Sequence, residues 1–172
     1  MRSAFIFVFI AAFLQSAGVR SETDVPENLT PPGNVKLVFR GHATGVQIYI
    51  CQGSASGNGS ESWVLSAPEA KLTDDTGKQI ATHSAGPSWQ ATDGSEVKGK
   101  ALAQATPDTE SIPWLLIGAI EHKGSGMMSP ITHIQRLHTK GGKAPAGGCD
   151  TQELGKKVSI PYTADYYFYS RP

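Results

Sequence analysis

The chain is 172 residues long, with 15 Lys and Arg against 15 Asp and Glu and 39% hydrophobic residues. Charges that cancel, with no basic run beyond the pair Lys156 and Lys157, exclude the electrostatic footprint of a nucleic-acid binder. The length suits one domain with one sizeable core.

Met1 and Arg2 give a positive start, and residues 4–14 (AFIFVFIAAFL) are an uninterrupted apolar run. Such a run is too short to span a bilayer and has the form of the core of a signal peptide. Val19 and Ser21 stand at −3 and −1 for cleavage before Glu22; cleavage after Gly18 is the runner-up. Residues 1–21 are therefore expected to be a signal peptide, and the mature protein to be secreted with no transmembrane segment. The alternative is a buried helix of a cytosolic protein. Residues 22–34 carry Pro26, Pro31 and Pro32 and read as an extended polar lead-in; residues 35–172 read as a single β-rich domain. Asn28 and Asn58 head Asn-x-Ser/Thr triplets and are glycan acceptors if the host is eukaryotic.

From Val35 the period becomes two. VKLVFRG puts Val35, Leu37 and Phe39 on one face. GVQIYIC puts Val46, Ile48 and Ile50 on one face and Gln47, Tyr49 and Cys51 on the other. Alternation rich in β-branched and aromatic residues argues for strands. Gly41 to Gly45 between them reads as a hairpin connection. QGSASGNGSES is a glycine- and serine-rich loop. SWVLSAPEAKLTDDTGKQIATH holds another hairpin, turning at Asp74-Asp75-Thr76-Gly77, and Asp93-Gly94 is a further turn.

EVKGKALAQA is expected as strand, since Gly99 weakens a helix and no cap completes one. IPWLLIGAIEH is apolar on both faces, as in a strand covered on both sides. SPITHIQRLHT is ambiguous. Ser129-Pro130 and the three-residue spacing of Ile131, Ile134 and Leu137 suit a helix, but its β-branched residues favour a strand, which is preferred. VSIPYTADYYFYS alternates again, with Tyr166 and Phe168 inward and Tyr167 and Tyr169 outward; Pro161 belongs at an edge or bulge. The expectation is an all-β single domain, a sandwich or barrel of short, mostly antiparallel strands.

The two cysteines, Cys51 and Cys149, are most simply a disulfide in an oxidising compartment; two free buried thiols are the alternative. The stretch HIQRLHTKGGKAPAGGC, residues 133–149, invites a site reading. His133 and His138 are five apart, which puts them about 140° apart on a helix and on opposite faces of a strand. Neither arrangement chelates, so no metal is expected and the histidines read as ordinary turn and edge residues. KGGKAPAGG lacks the spacing of a phosphate-binding loop. GSASG has Ala55 where a nucleophile elbow needs serine. Carboxylates at Asp74, Asp75, Asp93, Glu121 and Asp165 leave an acid–base enzyme open as an alternative. Trp63, Trp89 and Trp114 are candidate platforms for sugar rings, with Trp89 near the Asp93 turn, although strand aromatics are more often core.

GVQIYIC, GPSWQATDGS, WLL, HIQRLHTKGGKAPAGGC and IPYTADYYFY, in that order, resemble a family of secreted proteins from bacteria, fungi and plants, the domain of unknown function DUF3455. The resemblance runs from about Val35 to Tyr169 and implies a single secreted β-rich domain with no assigned catalytic residue. A dehydrogenase label carried by some relatives does not fit, because no Gly-x-Gly-x-x-Gly follows a strand. Among the polar positions in these motifs, Gln135, Arg136 and Asp165 need partners if buried, and an Arg136–Asp165 bridge is expected. The expected role is a binding module without cofactor, its partners cell-wall or extracellular glycans. Trp89, Asp93, Gln135, Arg136 and Asp165 are the candidate ligand-binding or loop-bracing residues. The remaining alternative is a structural or stress-related wall protein.

Overall fold

The computed structural model describes residues 25–53 and 61–172. The signal-peptide reading and the Asn58 acceptor lie outside them. A single 3₁₀ turn, Glu27–Leu29, precedes strands β1 (Lys36–Gln52), β2 (Ser62–Thr73), β3 (Gln79–Ser84) and β4 (Ser88–Ala91). They are followed by β5 (Glu96–Ala105), β6 (Trp114–Lys123), β7 (Ile131–Gly141) and β8 (Lys157–Ser170). Each strand pairs antiparallel with the next, and β8 returns to β1, so the sheet closes into an up-and-down barrel. Closure removes the exposed edges that a sandwich of the same strands would keep.

The interior is filled by alternate residues of each strand, among them Leu72, Ala81, Val97, Ile134, Tyr166 and Phe168. Trp89, fully buried, lies flat on His83 with centroids 4.4 Å apart and meets Tyr166 and Phe168 edge-on. It is core and not a surface platform for a sugar. Tyr166 and Phe168 face in, as the alternation of β8 requires. Of the two faces of β1, the one carrying Gln47, Tyr49 and Cys51 is the buried one.

The hairpin expected at Gly41 to Gly45 does not form. β1 runs unbroken through both glycines. A β-carbon at Gly45 would overlap the Glu69 carbonyl oxygen and lie 2.5 Å from the Ala70 Cα. These glycines let β2 approach closely, which is a different use of glycine from a turn. The other turns fall where their residues put them. The Asp74 carboxylate accepts from Thr76 N, Thr76 Oγ1 and Lys78 N and so shapes the β2–β3 turn. The ambiguous segment 129–139 is a turn at Ser129 and Pro130 followed by strand β7 from Ile131.

A second core lies outside the barrel wall. Leu29, fully buried, packs on Trp114, Leu116 and Leu137. The lead-in is thus docked on β6 and β7, which explains why β6 is apolar on both faces. Gln135 Nε2 donates to Leu29 O at 2.7 Å, and Tyr169 donates to Gln135 Oε1 at 2.6 Å. Asn28 is exposed, its amide donating to Gln104 O. The disulfide joins Cys51, at the end of β1, to Cys149 in the β7–β8 connection, across a separation of 98 residues. Chain entropy credits a loop of this size with about 4–5 kcal/mol.

Candidate functional site

The expected Arg136–Asp165 bridge is absent. Arg136 is opposite Tyr166, and Asp165 is opposite Leu137. Side chains of successive strand residues alternate between faces, so Arg136 enters the barrel while Asp165 stands on its outer wall. Arg136 donates through Nε and a terminal nitrogen to Pro113 O, at 3.1 and 2.8 Å.

Asp165 instead joins two histidines. His42 Nδ1 donates to Asp165 Oδ1 at 2.6 Å, and His138 Nδ1 donates to Asp165 Oδ2 at 3.0 Å. His42 Nε2 donates to Asp75 Oδ1 at 2.8 Å, and Arg40 donates to the same oxygen. The result is a relay, Arg40–Asp75–His42–Asp165–His138, drawn from β1, the β2–β3 turn, β8 and β7. Hydrogen bonds to Asp75 and then Asp165 hold the His42 imidazolium above the ordinary histidine range. Asp75, bonded by His42 and Arg40, is held below the usual carboxylate range.

Backbone geometry singles out the same place. His138 has φ 51°, the one positive value outside glycine among the described residues. The β7–β8 register slips between Leu137 and Lys140. A bulge re-aims a side chain, and a left-handed non-glycine costs on the order of 1–3 kcal/mol that surrounding contacts must offset. Here the bulge turns His138 onto Asp165 and edge-on to Trp114, with centroids 5.2 Å apart.

An open groove begins two residues along β1 from His42. Thr44, two residues from His42 on the same face of β1, begins a depression of about 450 Å³ lined also by Glu69, Lys71, Thr82, His83 and Ser84. Its hydroxyls and its acid–base pair can exchange hydrogen bonds with a ligand of many hydroxyls. Among the described residues, no three His, Cys, Asp or Glu side chains are disposed to hold one metal ion.

The other expected residues brace the fold. Asp93 accepts from Ser95 N, Ser95 Oγ and Met127 N, at 2.9, 2.6 and 2.7 Å, and ties the β4–β5 turn to the β6–β7 loop. Gln135 secures the lead-in. Sequence reasoning reached Asp165 and named Asp75 among the carboxylates of the enzyme alternative, but it missed Arg40 and read His42 and His138 as ordinary turn and edge residues. A partial signal existed: Asp74-Asp75 in a turn leaves one carboxylate for the turn and one free to reach a neighbour.

Neither the curated proteins nor the solved structures provide a match. The family described as "Protein of unknown function (DUF3455)" matches residues 31–170, and the chain belongs to that family.

Proposed function

We propose that this protein is an exported binding module whose groove and relay hold a hydroxyl-rich ligand, a glycan of the cell wall or extracellular matrix. One observation carries the reading: a hydrogen-bonded relay of acids, histidines and an arginine, built around a strained bulge, shares the outer face of β1 with Thr44, where a hydroxyl-lined groove of about 450 Å³ begins. That volume is within the usual range for small-ligand sites of about 300–1,000 Å³. Recognition rests on hydrogen bonds more than on stacking, since the large exposed hydrophobics are aliphatic. Export is supported by the apolar N-terminal run and by the disulfide.

The test is a glycan array probed with purified protein and with Asp165→Asn. A saccharide class bound by the wild type and lost in the variant supports the reading. No signal on any polysaccharide sinks it. A second reading, an acid–base enzyme on glycans, has one feature in its favour: Asp165 orients His138 through Nδ1, as a carboxylate orients a histidine base. Product release from a bound saccharide, abolished by His138→Gln, would select it over simple binding.

A further inference from the structure

The barrel interior holds a second cluster, independent of the outer relay. Gln47 Nε2, Trp89 Nε1, Tyr162 OH and Tyr166 OH are buried side-chain atoms that make no well-formed hydrogen bond among the described residues, although the two phenols face each other and Tyr166 faces Arg136. Their residues are at most 2% exposed. A buried donor without a well-formed hydrogen bond is costly, so four in one core call for an account.

They are not scattered. Tyr166 is the cross-strand partner of Arg136, and Tyr162 is that of Gly45, two residues from Gln47 on the inward face of β1. A β-carbon at Gly142 would touch both Tyr162 and Gln47, which places those side chains together. Burial pushes both phenols upward, so each remains a neutral O–H donor. Among the described residues no aspartate or glutamate is buried, so the interior supplies Arg136 with no counter-ion. Arg136 donates to the Pro113 carbonyl and also faces the Tyr166 hydroxyl, which in turn faces Tyr162. The cluster therefore holds a cation and several neutral N–H and O–H donors, with amide and phenol oxygens but no carboxylate among its acceptors. Arg136 is only half-buried and is the member that solvent reaches.

Pro113 links this cluster to the barrel mouth. The same residue lines a cleft of about 410 Å³ with Tyr49, Thr109, Ile112, Lys143 and Ala144. Apolar walls and a second cation at the rim suit an organic anion with a small apolar body.

We infer that the barrel interior is a carboxylate-binding site, in which the Arg136 guanidinium and the Tyr162, Tyr166 and Gln47 donors receive the carboxylate of a small organic acid. A planar carboxylate matches the fork of a guanidinium, and an acceptor-only anion supplies the counter-charge that the interior lacks.

The test is thermal unfolding and calorimetric titration of the purified protein with sodium acetate, sodium benzoate and sodium phosphate at fixed ionic strength. A carboxylate should raise the melting temperature saturably by a few degrees, with sodium chloride inert. Arg136→Met and Tyr166→Phe should each weaken that binding about tenfold or more. Tyr166→Phe removes a hydroxyl that makes no well-formed hydrogen bond and should melt close to the wild type without ligand, so it stays informative if Arg136→Met fails to fold. Asp165→Asn should bind carboxylate normally, which separates this site from the outer groove. No saturable carboxylate response, binding of phosphate alone, or unchanged binding by Tyr166→Phe would each overturn the assignment.

Discussion

Gly45→Ala tests the register of the barrel most directly. The added β-carbon would overlap Glu69 O and stand 2.5 Å from Ala70 Cα and 2.6 Å from Ala70 Cβ. Real β-carbons do not approach within 3.0 Å, so β1 and β2 must part by roughly 1 Å, and the obstacle is backbone, which cannot rotate away. β1 cannot retreat freely either, because Gly45 is opposite Tyr162 of β8 on its other side. Overpacking costs about 1–3 kcal/mol, and the weakened Gly45–Ala70 ladder bonds add about 1 kcal/mol. Alanine returns about 0.5–1 kcal/mol by restricting the unfolded chain. The net expectation is a loss of about 2 kcal/mol, read by urea unfolding followed through tryptophan fluorescence. Gly147→Ala, where nothing lies within 4 Å, is the control and should stay within about 0.5 kcal/mol of wild type. A Gly45→Ala protein as stable as that control would mean that residues 41–45 form a turn, and the continuous β1 would be wrong.

Leu29→Ala should cost about 2–3 kcal/mol, because a fully buried leucine leaves the cavity between Trp114, Leu116 and Leu137. Limited proteolysis should then cut the lead-in before the barrel; unchanged stability and unchanged cutting would show that the segment is not docked. Acid should also act on the core. Burial depresses His83 to about 4, so between about pH 6.5 and 4 the unfolded chain takes a proton that the folded state refuses. Stability falls as pH drops through that window, by on the order of 3 kcal/mol at its lower end. His42 acts in the opposite sense: its raised value means a contribution present below about pH 6.5 and lost as pH rises through the folded value. Replacing His83 by Asn should flatten the slope of unfolding free energy between pH 6 and 4.5, and equal slopes in variant and wild type would refute the buried neutral imidazole.

Period-two alternation, turn chemistry at Asp74–Gly77 and Asp93–Gly94, and an even cysteine count were enough for an antiparallel β-domain with one disulfide. They sufficed because each is a local preference that the final structure leaves in force. Gly41 and Gly45 misled, because glycine serves both turns and close strand contacts and only the neighbouring strand decides which. Trp89 misled in a similar way: closeness to a turn in sequence says nothing about the side of the sheet on which a ring falls.

What the amino-acid order determined by itself was the type of each element and which residues of a strand share a face. Only the tertiary structure decided which face is inside, that the sheet closes, and what meets what. His42 and Asp165 are 123 residues apart, and no local rule pairs them. Arg136 and Asp165, both polar and both near apolar neighbours, were assigned to each other and lie on opposite sides of the wall. Side-chain direction reverses with every residue along a strand, so a partner depends on long-range register and on a single bulge at His138.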